Sequence, residues 1–229
     1  LGSSTDTHKD QTYFLYKMTQ DQVEHTLFPI GHLTKTAVRQ LATAHHLHVA
    51  SKKDSVGICF IGDINVHEFL RERLGENPGD VVDTAGNVIG KHQGLWFYTV
   101  GQRHGFTINA HTVLQQSDGT TINRHNIPPF YVIAKQPDTT HIVVGFGAET
   151  YQDYFSVQDI HWIGPTPTSD QPVWVRIRHT GQLYPAQLHD HQVKLAKPIQ
   201  GLAAGQSAVF YTPHANTGEY LCLGGGIIA

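Results

Sequence analysis

A chain of 229 residues with 39% hydrophobic and 15% charged side chains is long enough to bury one or two cores, and its make-up excludes a disordered tail or a membrane-spanning bundle. Its formal net charge of -3 excludes a general nucleic-acid coat protein, since there is no global attraction to phosphate, but it leaves room for a local basic surface. No apolar run approaches the length of a membrane span and the first residues lack the layout of a secretion signal, so a cytoplasmic location and free thiols at Cys59 and Cys222 are expected.

Thr19 followed by Gln22 has the spacing of a capping box, and Thr34 precedes a segment in which Ala37, Val38, Leu41 and Ala44 fall on one helical face. Val49-Ala50 then leads into Asp54-Ser55-Val56-Gly57-Ile58-Cys59-Phe60-Ile61-Gly62, where one cysteine stands between apolar neighbours, bracketed by glycines and preceded by Lys52 and Lys53. Two readings of Cys59 stay open on these residues alone. Ile58-Cys59-Phe60-Ile61 has the pattern of a core strand, in which cysteine is a small buried side chain. A cysteine near cations and glycines also suits a nucleophile or sulfur carrier, because Lys52 or Lys53 would raise a thiolate fraction that is small for a thiol near pKa about 8.5. Cys222, between Leu221 and Leu223 in a terminal strand pattern, reads as a core residue.

Asn65 with Glu68 opens a short helix through Leu74 that is expected to turn Val66, Phe69 and Leu70 inward. Beyond Pro78 the period changes. Gly79 to His92 reads as a hairpin around Ala85-Gly86-Asn87, and Phe130 to Ala134 pairs with His141 to Val144 across Pro137-Asp138-Thr139-Thr140. Between them, His111 to Asn126 is polar and long, the pattern of an exposed insertion. From Phe155 onward short strands recur at about ten-residue spacing, with the Pro165-Thr166-Pro167 and Asp170-Gln171-Pro172 turns inside the series, the signature of a small barrel or sandwich. The 17 histidines are scattered without ligand spacing, and no metal is expected. The fold class is α+β, with a short helical N-terminal segment, a strand-rich central domain and a small C-terminal antiparallel β-barrel. The expected domains are residues 1–62, 63–154 and 155–229.

Several strings run in order nearly from end to end: Lys9-Asp10-Gln11-Thr12-Tyr13-Phe14-Leu15-Tyr16, Leu27-Phe28-Pro29-Ile30-Gly31, the Cys59 segment, Gly90-Lys91-His92-Gln93-Gly94-Leu95, Tyr98-Thr99-Val100-Gly101-Gln102-Arg103-His104-Gly105, Pro128-Pro129-Phe130-Tyr131-Val132, Gly205-Gln206-Ser207-Ala208-Val209-Phe210-Tyr211 and Cys222-Leu223-Gly224-Gly225-Gly226-Ile227-Ile228. Together they resemble the tRNA-specific 2-thiouridylases, which place sulfur on the wobble uridine, position 34, of certain tRNAs.

The resemblance implies that Cys59 carries a persulfide sulfur, delivered by a sulfur-relay donor protein, to C2 of a uracil activated with ATP. It further implies tRNA contact through Lys9, Asp10, Gln11, Arg178, His179 and Gln206, where Arg and Lys suit phosphate and Gln and Asp suit base edges or sugar. His179 stands where the family has Tyr, and a histidine can still stack on a base. No SGG-x-D-S, GxxxxGK[ST] or GxGxxG string occurs, so the chain reads as the C-terminal part of such an enzyme, lacking the N-terminal ATP-pyrophosphatase domain that binds ATP and carries the second catalytic cysteine.

Lys91, His92 and Arg103 can form a basic ridge, or Arg103 can be a packing anchor; the sequence leaves both open. Two further function classes are a stand-alone RNA-binding module, which would have no use for an activatable thiol, and a thiol-dependent hydrolase, for which no partner of Cys59 can be assigned.

Overall fold

The computed structural model describes residues 1–54, 62, 64–109, 129–168, 171–215 and 218–229. Cys59 and the polar stretch His111 to Asn126 lie outside them, as does part of the Asp170 turn. Four α-helices lie among the described residues: α1 (Thr12–Leu15), α2 (Gln20–Glu24), α3 (Lys35–Ala44) and α4 (Val66–Leu74). Eleven strands follow: β1 (Gly79–Val82), β2 (Val88–His92), β3 (Thr107–Ile108), β4 (Tyr131–Gln136), β5 (His141–Gly145), β6 (Tyr151–Trp162), β7 (Val173–Arg176), β8 (Tyr184–His189), β9 (Gln192–Gln200), β10 (Ser207–Pro213) and β11 (Tyr220–Ile228). The class is α+β, as the sequence implies. The chain divides into two compact units, Leu1–Ser55 with Asp153–Pro198 and Ala204–Ala229, and Val56–Gln152 with Ile199–Ala203.

In the first unit six strands close a barrel in the order β10-β11-β6-β9-β8-β7. Period-2 alternation builds it: in β7, Val173 and Val175 are buried with Trp174 only partly so, and in β9, Val193 and Leu195 are buried between exposed Gln192 and Lys194. The strands are less uniform than expected. β6 runs twelve residues, bends at Asp159 (φ 53°) and pairs with a β11 that shifts register between Gly225 and Ile227. A small barrel needs such bends to close on itself. At Gly224 (φ 143°) a Cβ would sit 2.1 Å from the carbonyl oxygen of His161, so this crossing of strands requires glycine.

The N-terminal residues join the same unit. The Cys222 amide donates to Leu1 O at 2.8 Å and the Ser3 amide to Tyr220 O at 2.7 Å, laying the first residues along β11. The capping box at Thr19 and Gln22 forms, and Thr34 caps α3 through the Ala37 amide. The apolar face of α3 is not covered in this unit: Ala37 and Val38 are half-buried, whereas Leu41 is 48% exposed and Ala44 is exposed.

The second unit holds a five-stranded sheet in the order β3-β2-β1-β5-β4, with β1 and β5 parallel and the other pairs antiparallel. Both expected hairpins form. The β1–β2 turn is held by Asp83 Oδ1, which accepts from the amides of Ala85 and Asn87. Val81, Ile89, Tyr98, Phe130, Val132, Ile142 and Val144 make the core. Of the α4 residues expected inward, only Leu70 packs on that core; Val66 and Phe69 are largely exposed. The helix is two and a half turns long and lays the exposed His67 against Phe97, with ring centroids 4.4 Å apart, while Arg73 covers Phe69.

Candidate functional site

The loop before α1 brings Lys9, Asp10 and Gln11 to the barrel, and a buried ion pair fixes it there. Asp10 Oδ2 accepts from Arg176 Nη1 at 2.9 Å, with side chains 2% and 8% exposed. Its oxygens also accept from the Thr12 amide and hydroxyl, and that hydroxyl lies 3.1 Å from the Tyr211 phenol. The Arg176 guanidinium stands 5.1 Å from the centroid of the Tyr211 ring. Arg176 follows Val173 and Val175 on the opposite face of β7, the one on which α1 lies. The Asp10 carboxylate is therefore enclosed, and the side chains this loop exposes are Lys9 and Gln11.

The same helix reaches the two other positions. The Tyr13 hydroxyl shares its one proton between Ile177 O at 3.2 Å and Ser207 O at 3.0 Å. Phe14 and His179 have ring centroids 4.5 Å apart, and Tyr13 and His179 6.2 Å. Arg178 is exposed beside half-buried His179, and Gln206 follows Gly205 (φ 85°) in the turn before β10. His179 Nδ1 and Gln206 Oε1 are buried atoms without a hydrogen-bond partner, each with unused capacity. The structure thus gathers Lys9, Asp10, Gln11, Arg178, His179 and Gln206 at one end of one unit. Cys59 lies outside the described residues.

A cleft of about 600 Å³ opens beside this loop, with Lys9 and Gln11 on one wall and Phe28, Pro29, Ile30 and His32 on the other. Lys9 also binds Asp54, as do Lys35 and Arg39, and the Lys9 and Lys35 ammonium groups hold the Asp54 carboxyl well below the usual range. Arg39 further donates to the carbonyls of Ala50 and Lys52, while the side chains of Lys52 and Lys53 are exposed.

Cys222 is a core residue, as its sequence context implies. Its Sγ lies 3.9 Å from Thr12 O, and burial pushes the thiol up to about 12. His92 does not belong to an exposed ridge with Lys91 and Arg103: it is buried, its Nδ1 accepts from the Gly94 amide and its Nε2 faces Thr140 O at 2.9 Å. Those partners fit the neutral ring with its proton on Nε2, and burial lowers its pKa. Arg103 is exposed, and Lys91 pairs with Asp80.

Tyr13, Phe14 and Arg176 were not legible as site residues in the sequence. Tyr13 and Phe14 stand inside the Lys9 to Tyr16 string, and Arg176 is a charge on a strand otherwise apolar, which was the available signal. Among the described residues, no group of three or more His, Cys, Asp or Glu side chains could hold a metal ion, and no helix is long and apolar enough to cross a membrane.

Three family models match along the chain: a tRNA methyl transferase HUP domain over residues 1–63, a tRNA methyl transferase PRC-barrel domain over 67–146 and an aminomethyltransferase beta-barrel domain over 152–228. The tRNA-specific 2-thiouridylase MnmA of Blochmanniella floridana is 39% identical, covering 100% of this chain and 60% of that protein. The proteins of the same name from Shewanella putrefaciens and Pseudomonas fluorescens are 38% and 36% identical, covering 97% and 100% of this chain and 58% and 59% of their own lengths. The chain spans about 60% of the length of the relatives it matches. With three adjoining matches and such relatives along its whole length, the chain belongs to the family of tRNA-specific 2-thiouridylases.

Proposed function

We propose that this chain is the sulfur-carrying and tRNA-docking portion of a tRNA-uridine 2-sulfurtransferase, acting in the cytoplasm on the wobble uridine. The observation that carries the reading is the gathering of Lys9, Gln11, Arg178, His179 and Gln206 around Tyr13 and Phe14 on one unit. Lys9 and Arg178 would meet phosphates, Gln11 and Gln206 would hydrogen-bond sugar or base edges, and His179 would stack. Asp10 would act on the RNA through the position it gives its neighbours. In this reading, residues 1–62 end the catalytic domain and carry Cys59, 63–154 are a central domain and 155–229 the barrel domain.

Cys59 would accept sulfur from a relay donor protein as a persulfide and present the terminal sulfur to C2 of an activated uracil. The described residues offer no helix N-terminus that fits the phosphates of ATP. Among the described residues, the two helices of two turns or more have their first amides taken, α3 by Thr34 Oγ1 and Asp6 Oδ2 and α4 by Asn65 Oδ1, so neither leaves a row of amides open to a triphosphate. Binding of ATP and activation of the uracil are therefore assigned to the nucleotide domain of the full-length enzyme, and no step through ATP to residues here.

Incubation with an enzymatic persulfide donor, followed by peptide mass measurement under non-reducing conditions, tests the sulfur-carrier role. The Cys59 peptide should gain one sulfur atom and Cys59→Ser should gain none. Sulfur on Cys222 instead, or on neither thiol, would overturn the assignment.

A further inference from the structure

One string recognisable in the sequence, Tyr98 to Gly105, takes no part in the site of the first unit, and the second unit builds it into a rigid loop. The backbone turns back on itself at Gly101 and Gly105, with φ of 88° and 102°, a conformation that glycine adopts without strain. The Gly101 amide donates to Val132 O at 2.7 Å and the Val132 amide to Gln102 O at 2.9 Å, which pins the loop along β4. The Gln102 side chain staples the turn from within: its Oε1 accepts from the Thr99 amide and its Nε2 donates to His104 O. The buried Tyr98 donates its hydroxyl to Gly105 O and closes the loop at its base.

The loop so held presents Arg103 and His104, both exposed. Exposure excludes the packing-anchor reading of Arg103, and among the described residues no acid pairs with it. In this unit Asp80 is taken by Lys91 and Glu76 by Arg71, while Asp83 and Glu149 hold turns. Lys135 Nζ donates to Tyr98 O at 3.2 Å, again without an acid among the described residues, so a second uncompensated charge stands at the base of the loop.

The exposed residues of the loop are Thr99, Arg103, His104 and Gly105, with no large apolar side chain among them. A protein interface draws its energy from buried apolar and aromatic anchors, so this surface suits a charged ligand instead. A guanidinium offers two parallel N–H groups that match the two unbridged oxygens of a phosphodiester, and a loop already held in place lowers the cost of ordering on binding.

We propose that this loop is a second RNA contact, carried by the second unit, in which Arg103 grips one phosphodiester of the tRNA and His104 adds a hydrogen bond beside it. The proposal rests on the RNA-docking reading above, and it adds Arg103 and His104 to the residues that meet the RNA.

The test measures tRNA affinity of the 229-residue chain over a series of salt concentrations. Arg103→Ala should weaken binding several-fold at low salt and make the log–log salt slope shallower by about 1. Arg103→Lys should restore the slope and only part of the affinity, because an ammonium lacks the planar fork; full recovery would overturn the two-point grip. Arg103→Ala combined with Arg178→Ala should lower the slope by about 2, the sum of two separate contacts. Lys197→Ala, which removes an exposed cation from β9, controls for net charge, and an equal effect from it would overturn the contact. Weaker binding of Arg103→Ala at an unchanged slope would overturn phosphate as the partner of this loop. Unchanged affinity and slope in Arg103→Ala alongside weaker binding in Arg178→Ala would overturn the second contact and leave the docking reading standing; no effect of either variant would overturn both.

Discussion

The hydroxyl of Tyr13 and the carbonyl oxygen of Ile177 stand 3.2 Å apart, joining α1 to the end of β7 across 164 positions of sequence. Arg178 and His179 follow directly, so a helix of four residues sets the distance between the loop carrying Lys9 and the turn carrying His179. So short a helix has no stability of its own. It is held by Tyr13 and Tyr16, both buried in a cluster with Val209, Tyr211 and Cys222.

Tyr13→Phe keeps the ring and removes the bond. It should destabilise the chain by about 1 kcal/mol in urea unfolding, and weaken tRNA binding by more than its effect on the folded fraction explains. Loss of stability with unchanged affinity would show that α1 does not set the docking geometry.

Breaking the Asp10–Arg176 pair should cost far more. Arg176→Met leaves the Asp10 carboxylate enclosed without its cation and should destabilise by about 3 to 5 kcal/mol. Replacing both residues together, with Asp10→Asn and Arg176→Met, should recover part of that loss. A double variant as unstable as Arg176→Met would mean that the loop, not the charge, is the sensitive element.

Stability should fall in alkali. Burial holds Cys222 up to about 12 against an ordinary 9.0 and raises Tyr211 as well. The unfolded chain therefore loses these protons first, and the stability they confer is whole below about pH 9 and lost as pH rises towards 12. Urea midpoints should drop over that window more steeply in the native sequence than in Cys222→Ala. Parallel slopes would contradict the burial of this thiol.

Gly224→Ala should destabilise by on the order of 3 kcal/mol, since it adds a Cβ against a backbone oxygen at a positive φ. Thermal unfolding checks this, and a variant with unchanged midpoint would contradict the close strand crossing.

Local signals carried much of the fold. The caps at Thr19 and Thr34, the hairpin around Ala85-Gly86-Asn87 and the short strands recurring from Phe155 onward each depend on neighbours within a few residues, and each was readable. What failed depended on distant partners. Nothing near Phe69 tells that it stays exposed under Arg73 while His67 stacks on Phe97. A ridge of Lys91, His92 and Arg103 was one of two readings the sequence left open, and it fails at His92 because that ring's environment is set by Thr140, far along the chain. Lys9, Asp10, Gln11 and Gln206 stand inside recognisable strings, Arg178 and His179 do not, and the contacts that gather these candidates, Tyr13 to Ile177 and Asp10 to Arg176, span the length of the chain.

The most direct measurement is the salt dependence of tRNA binding by the native chain and by Arg178→Ala. Arg178 is exposed beside His179, so the substitution should leave the fold intact while removing one cation proposed to meet phosphate. Affinity should fall as salt rises, and Arg178→Ala should bind more weakly at low salt with a log–log salt slope shallower by about 1. Equal affinity and equal slope in the two proteins would contradict the docking surface on which this account rests.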